Sequence, residues 1–327
     1  MRRFIFLILS FLIVVGSVFY APGGLLAPLN INENTAFIIQ KGDSTLAIAD
    51  SLKKQRIIPH AVSFLCGVAF LKLKKQSLKH GEYLAEPKIT LWKLIQKITK
   101  GDVVVHHITI PEGLTIYEVS KKLEDISILT GAIEALPSEG TLLPETYDYY
   151  WGESRQQVLL RMVKAMETLK NKLWTMHQSN CPLKSWDEVL TLASIVEKET
   201  GLEEERDLVA SVYLNRLQIN MPLQADPTVI YAVTKGQTSF YRPIFKSDLA
   251  TDSPYNTYLN KGLPPTPIAC PGEASIMAVL KPAQTAYLYF VASGTGGHEF
   301  SPDLKAHNQN VKNLRHIEKQ KRGSYEY

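Results

Sequence analysis

TLASIVEKETG, residues 191–201, sets two glutamates, Glu197 and Glu199, at the end of a run of Leu, Ala, Ile and Val. Just upstream, Ser185-Trp186-Asp187-Glu188 has the form of a capping box, with Ser185 as N-cap and Glu188 at the third helical position. The stretch therefore reads as a helix. Wound at about 100° per residue, Val189, Leu192, Ala193 and Val196 form its apolar centre and Lys198 falls nearly opposite. Glu197 and Glu199 land on either flank of that apolar face. Burying an ionised carboxylate is costly, so each is expected to be partly desolvated and its pKa raised. A carboxyl kept protonated near neutral pH can give a proton to a leaving oxygen and later take one back. Helical geometry does not choose between the two, and an ordinary surface pair at a helix end fits the same residues.

Downstream, EEERDLVASVYLNRL (203–217) reads as a second helix, acidic at its start as the helix dipole prefers, with Ser211 and Asn215 sharing one face. MPLQADPTVIYA (221–232) follows. Its Asp226-Pro227-Thr228 fits an N-cap followed by proline at the first helical position. SPYNTYLNKGLPPTPIACPG (253–272) is dense in Pro, Gly, Tyr and Asn and reads as an ordered binding loop or a long connection. AYLYFVAS (286–293), GTGG and HEFS (298–301) read as a hairpin, and 303–322 as a basic terminal helix.

Upstream, EGTLLPETYDYYWGES (139–154) is hinge-like, and a domain boundary is expected there. Its Tyr147, Tyr149, Tyr150 and Trp151 suit sugar stacking or plain packing. Before it lies a weak internal repeat: IQKGDSTLAIADSLKK (39–54) lines up with IPEGLTIYEVSKKLED (110–125). Each copy runs from a short strand through a glycine (Gly42, Gly113) and an N-cap (Ser44, Thr115) into a helix. The unit is of the kind found in glycan-binding LysM modules, and two unrelated strand–helix connections fit it as well. TLWKLIQKITKG (90–101) carries Leu91, Leu94, Ile95 and Ile98 on one helical face, with Gly101 as its stop. In VVVHHITIP, His106 and His107 point to opposite faces of a strand and do not form a joint metal site.

The first residues, Met1-Arg2-Arg3, precede an uninterrupted apolar run from Phe4 to about Ala21. A helix of roughly 17–25 such residues crosses a bilayer. Arg2 and Arg3 put the N-terminus in the cytoplasm and the body outside. A retained anchor is favoured over a cleaved signal peptide, because YAPGG offers no clear small-x-small site and Pro22 is a poor residue just past a cut after Ala21. A linker is expected over 22–35.

The whole chain of 327 residues is 45% hydrophobic and 21% charged, which fits a folded protein. A net charge of +4 is too mild for a nucleic-acid binder. Cys66, Cys181 and Cys270 show no metal-binding spacing and allow at most one disulfide.

Taken together, LASIVEKET, ERDLVASVYLNRL, MPLQADPTVIYA, SPYNTYLNKGLPPTPIACPG and YLYFVASGTGGHEFS resemble the endolytic murein transglycosylase family, MltG or YceG-like. The resemblance runs from the apolar N-terminus to about Asn313. It implies an α+β fold class: an N-terminal transmembrane helix (1–21), a small LysM-like α/β subdomain (36–138) and a mixed α+β catalytic domain (139–327). It implies a lytic transglycosylase that cleaves peptidoglycan glycan strands to 1,6-anhydro-muramic ends without a cofactor or metal. The first glutamate of the IVEKE motif, Glu197, is then the expected acid–base, with Glu199 a supporting group. Gln224, Asp226, Tyr255, Asn256 and His298 are the expected substrate-binding residues. The expected setting is the cytoplasmic (inner) membrane, with the catalytic domain on the periplasmic side near glycan-polymerising synthases. A hydrolase of the same glycan, which needs a second carboxylate such as Asp226 or Asp248, and a non-catalytic wall-binding scaffold are the competing expectations.

Overall fold

The computed structural model describes residues 19–20, 24–177, 181–238 and 240–323. The apolar run from Phe4 to about Ala21 lies outside the described residues except for Phe19 and Tyr20. No helix among the described residues is long and apolar enough to cross a membrane. The fold is mixed α+β, and the chain divides by packing into two compact units. One comprises Met1–His107 with Asp148–Glu153, the other Ile108–Tyr147 with Ser154–Tyr327. Packing thus separates the chain near residue 107, earlier than the hinge-like 139–154 stretch suggests.

In the first unit, β1 (Thr35–Ile39) leads through Gly42 into α1 (Thr45–Lys54), which Ser44 caps by accepting a hydrogen bond from the Ala47 N–H. Then come α2 (Ala61–Leu73), β2 (Gly81–Ala85) and α3 (Leu91–Lys100). β1 and β2 pair antiparallel, Thr35 opposite Ala85 and Phe37 opposite Tyr83. Their alternation buries Phe37, Ile39, Tyr83 and Ala85 against the helices. α3 forms as its periodicity dictates: Thr90 caps it, Leu91, Leu94, Ile95 and Ile98 are buried, and Gly101 ends it at φ 77°. Leu94 is fully buried, so Leu94→Ala is expected to destabilise this unit by about 2–5 kcal/mol, read as a lowered urea midpoint.

The stretch expected to be a linker is instead part of this core. Leu25, Leu29 and Ile31 are buried, the Leu29 N–H donates to the Ile89 carbonyl, and Pro28 bridges to Thr90. Its prolines and glycines shape turns that let these aliphatic side chains reach inward.

β3 (His106–Thr109) pairs with β4 (Thr146–Tyr149) in a short ribbon, and the division between the units falls within it. The two histidines diverge as expected: His106 meets Glu82 at 2.7 Å and stacks on Tyr149, while His107 meets Asp148 at 2.7 Å. Tyr147 and Tyr149 are buried, so of the two uses open to these rings, packing is the one seen. Between the strands, Gly113 and Thr115 lead into α4 (Ile116–Glu124), where Thr115 and Glu118 complete a capping box. Both copies of the repeat therefore fold as strand, glycine turn, cap and helix.

In the second unit, α5 (Arg155–Leu173) leads to α6 (Trp186–Glu199), whose Ser185–Glu188 capping box is formed. α7 (Arg206–Gln218), α8 (Asp226–Thr234) and α9 (Glu273–Leu280) follow. α6 is the central element. Its Trp186, Val189, Leu190, Leu192, Ala193, Ile195 and Val196 are buried in one core with Val209, Tyr213, Ile276 and Val279 of α7 and α9. The hairpin β5 (Tyr289–Ala292) and β6 (His298–Ser301) and the terminal α10 (Leu304–Gly323) close the unit. Ser211 and Asn215 fasten the approach to the hairpin, the Asn215 amide donating to the carbonyls of Thr285 and Tyr287. The three cysteines are free.

Candidate active site

α6 ends at Glu199, with Thr200 as C-cap, so both glutamates occupy the last turn of a helix whose earlier turns are buried. Their surroundings differ. The Glu197 carboxylate accepts a hydrogen bond from the Gly272 N–H at 3.0 Å, and its other oxygen stands 3.9 Å from the Arg206 guanidinium. Arg206 is shared with Glu112, 3.7 Å away. Burial and the nearby Glu197 charge raise the Glu112 pKa. A Cβ on Gly272 would stand 1.6 Å from the Glu112 carboxylate, so a larger residue there would push the Glu112 side chain out of its present place. Glu197 thus belongs to a network that ties the 112 and 272 loops to α6.

Glu199 sits in a different environment. It accepts a hydrogen bond from the Tyr213 hydroxyl at 2.6 Å. Burial pushes its pKa up to about 7. The Tyr213 hydrogen bond opposes that rise, the charge of Asp226 adds to it, and His298 and Arg216 oppose it. The elevated pKa reasoned for a glutamate flanking the apolar face is therefore found at Glu199.

The other expected residues divide between this group and the loop behind it. Asp226 does not cap α8. Ala225 occupies that position, and the Asp226 carboxylate instead accepts from the Tyr258 hydroxyl at 2.6 Å. His298 meets Glu205 twice, through its ring Nδ1 at 2.6 Å and its backbone N–H at 2.7 Å. Burial raises the Glu205 pKa, and these His298 contacts outweigh it and hold the carboxyl below its usual value. Gln224 is exposed, in the left-handed region at φ 49°, with its N–H on the Thr257 carbonyl.

Asn256 and Tyr255 do not join Glu199. Asn256 is fully buried; its amide nitrogen donates to the carbonyls of Leu249 and Thr251, and its amide oxygen accepts from the Tyr258 N–H. It serves the fold of its loop, which corrects its expected role as a binding residue. Tyr255 packs on Tyr231 and bonds Thr266. Tyr213, Arg216 and Tyr258 were not anticipated. Arg216 is buried, donating to the carbonyls of Leu223 and Leu288. Among the described residues, no group of three or more His, Cys, Asp or Glu side chains is placed to hold a metal.

Removing the Asp226 charge should lower the Glu199 pKa, since that charge raises it. Asp226→Asn is therefore expected to move the alkaline limb of any Glu199-dependent pH–rate profile to lower pH; an unmoved limb would separate the two carboxylates.

The YceG-like family model matches residues 37–313, which spans both units and every residue of this site. The chain belongs to the YceG-like family. Among its YceG-like relatives, the endolytic murein transglycosylase of Bacillus subtilis is 33% identical, over 91% of this chain and 90% of that protein. The endolytic murein transglycosylase of Streptococcus pneumoniae strain D39 is 28% identical over 84% of this chain, which spans only 57% of the relative's length. A crystal structure of a YceG-like protein from Listeria monocytogenes matches with a TM-score of 0.55 at 30% identity, over 85% of this chain and 99% of that one. The YceG-like match includes Glu197 and Glu199 alike, so the choice between them rests on geometry.

Proposed function

We propose that this chain is an endolytic peptidoglycan lytic transglycosylase whose acid–base lies in the last turn of α6; the family resemblance assigns that role to Glu197, and the surroundings of the two side chains lead us to argue the step for Glu199. The observation that carries the assignment is the mostly buried Glu199 carboxyl, lifted to about 7 and steadied by Tyr213, in a chain whose relatives bear that activity in their names. A group titrating near the working pH exists in both the proton-giving and the proton-taking form.

The chemistry needs only one such group. Protonated Glu199 gives its proton to the glycosidic oxygen as the bond to the muramic C1 breaks. The muramic 6-hydroxyl then forms the new bond to C1, and the Glu199 carboxylate takes that hydroxyl's proton. The products are a 1,6-anhydro ring and a free 4-hydroxyl, no water is consumed, and Glu199 ends as it began. Because the nucleophile is part of the substrate, proximity is built in. Tyr213 and Tyr258 hold Glu199 and Asp226, and the Asp226 carboxylate supplies charge beside the reacting sugar.

One observation favours a second reading. Asp226 lies close enough to Glu199 to raise its pKa, and a pair of carboxylates is what a glycan hydrolase uses. Asp248 does not suit that role, since a two-pronged bond from Arg242 holds it down to about 2. Mass spectrometry of digested sacculi separates the readings: anhydro-muramic ends are expected, and reducing ends would establish the hydrolase.

The apolar run near the N-terminus is proposed as a single-pass anchor in the cytoplasmic membrane, with both units on the outer, periplasmic side beside emerging glycan strands. The residues over 36–138 are proposed as a LysM-like module, supported by the two strand–turn–helix copies, and those over 139–327 as the transglycosylase domain. Glycan-polymerising synthases are the proposed partners.

A further inference from the structure

The terminal helix α10 sorts its side chains by face. One side is packed on the β5–β6 hairpin. His307 stacks on Tyr289, the Asn310 amide donates to the Ser301 hydroxyl, and a Cβ at Gly294 would meet Leu314 and Ile317 at 3.1 and 3.2 Å. The Lys321 ammonium donates to the Gly294 carbonyl on this same side. The opposite side is exposed and carries Lys305, Lys312, Arg315 and Lys319. Wound as an α-helix, these four fall within about 80° of arc and form a stripe about 21 Å long.

The charge of this stripe is not cancelled locally. Among the described residues, none of the four is ion-paired with a carboxylate. The helix has a single acidic residue, Glu318, which lies about 120° round from Lys312. Lys312 and Arg315 are three apart, Arg315 and Lys319 four apart, so like charges stand side by side, an arrangement that disfavours a helix in isolation and that a negative partner relieves. Asn308, Gln309, His316 and Gln320 are the exposed neighbours, and α10 contains no Trp, Tyr or Phe. Such a face adsorbs on a charged surface and lacks the rings that would sink it into an apolar one. A straight row on one side of a rod offers all four cations at once to a plane. The apolar run proposed as an anchor brings one such plane, a bilayer, within reach of the chain.

We infer that the outer face of α10 is an electrostatic docking surface for the phosphate headgroups of an anionic bilayer, with Lys305, Lys312, Arg315 and Lys319 on the phosphates. This contact is additional to the proposed anchor and does not depend on the transglycosylase reading. Being a contact between exposed charges, it weakens as salt shortens the Debye length.

The test is lysine acetylation of the full chain, read residue by residue by mass spectrometry, on vesicles of phosphatidylcholine and on vesicles that also contain phosphatidylglycerol. Flotation of the chain with each vesicle is measured alongside. Lys305, Lys312 and Lys319 are expected to react about fivefold more slowly on the anionic vesicles, with the difference gone at about 1 M salt. Lys164 and Lys170, exposed on α5, serve as references and are expected to react alike on both. In the chain carrying Lys312→Gln, Arg315→Gln and Lys319→Gln, Lys305 is expected to lose its protection with the melting temperature unchanged. Equal rates on the two lipids, or protection of Lys305 that survives the triple substitution, would overturn the docking surface. Protection by free poly(glycerol phosphate) and not by the anionic vesicles would overturn the bilayer as its occupant. The anchor is read separately. Flotation on both vesicles with equal lysine rates keeps the anchor and removes the surface. Flotation on anionic vesicles alone, with the stripe protected, removes the anchor and keeps the surface.

Discussion

Glu199→Gln is expected to reduce the release of anhydro-muramic fragments from sacculi by about 10²–10⁴-fold, the usual contribution of a positioned acid–base group. Glutamine keeps an oxygen for the Tyr213 hydroxyl but has no proton to give, so the fold should survive while the chemistry stops. Glu197→Gln is expected to remain within about tenfold of the parent, because its amide oxygen can still accept from the Gly272 N–H and Arg206 retains Glu112. The comparison of the two variants under identical conditions is decisive. A silent Glu197→Gln protein beside an active Glu199→Gln protein would return the catalytic role to Glu197.

The same substitution should also make the protein more stable, and only at one end of the pH scale. Glu199 is raised from 4.5 to about 7 in the folded chain. Between those values the folded state keeps a proton that the unfolded chain has released. Stability therefore falls as pH rises through that window, and the deficit is complete and constant above it. A rise from 4.5 to about 7 corresponds to on the order of 3 kcal/mol. Glu199→Gln removes the deficit. It is expected to exceed the parent by about 3 kcal/mol at pH 8 and to match it near pH 4, measured by urea unfolding at both values. A gain of equal size at both pH values would show that burial of the charge is not its source.

The parts of this fold that follow local rules were readable in the chain itself. The Ser185–Glu188 capping box, the Leu91–Ile98 stripe with Gly101, the glycine turns of the repeat and the hairpin before α10 each depend on residues a few positions apart. Choosing between Glu197 and Glu199 does not. A helical wheel places them symmetrically, and what separates them is Gly272 and Glu112 on one side and Tyr213 and Asp226 on the other, all brought in by tertiary packing. Tyr213 did carry a signal, since it stands in SVYLNRL among residues of a core-facing helix and a buried hydroxyl needs a partner. Asn256 misled for a related reason. In a loop rich in proline and glycine a polar side chain resembles a binding group, yet such a loop must satisfy its own carbonyls, and Asn256 does so for Leu249 and Thr251. The burial of Leu25, Leu29 and Ile31 was obscured because prolines and glycines between aliphatic residues mark a tether and a tightly folded strap alike.

Glu199 is the final residue of α6, where the unpaired carbonyls of the last turn gather partial negative charge. An acidic side chain is the least welcome kind at that end of any helix, and Lys198 beside it is the kind that belongs. A substitution that simply improved α6 as a helix would replace Glu199 with a neutral residue of similar shape and would gain stability at neutral pH by doing so. The stability of α6 and the proposed proton transfer therefore pull this position in opposite directions.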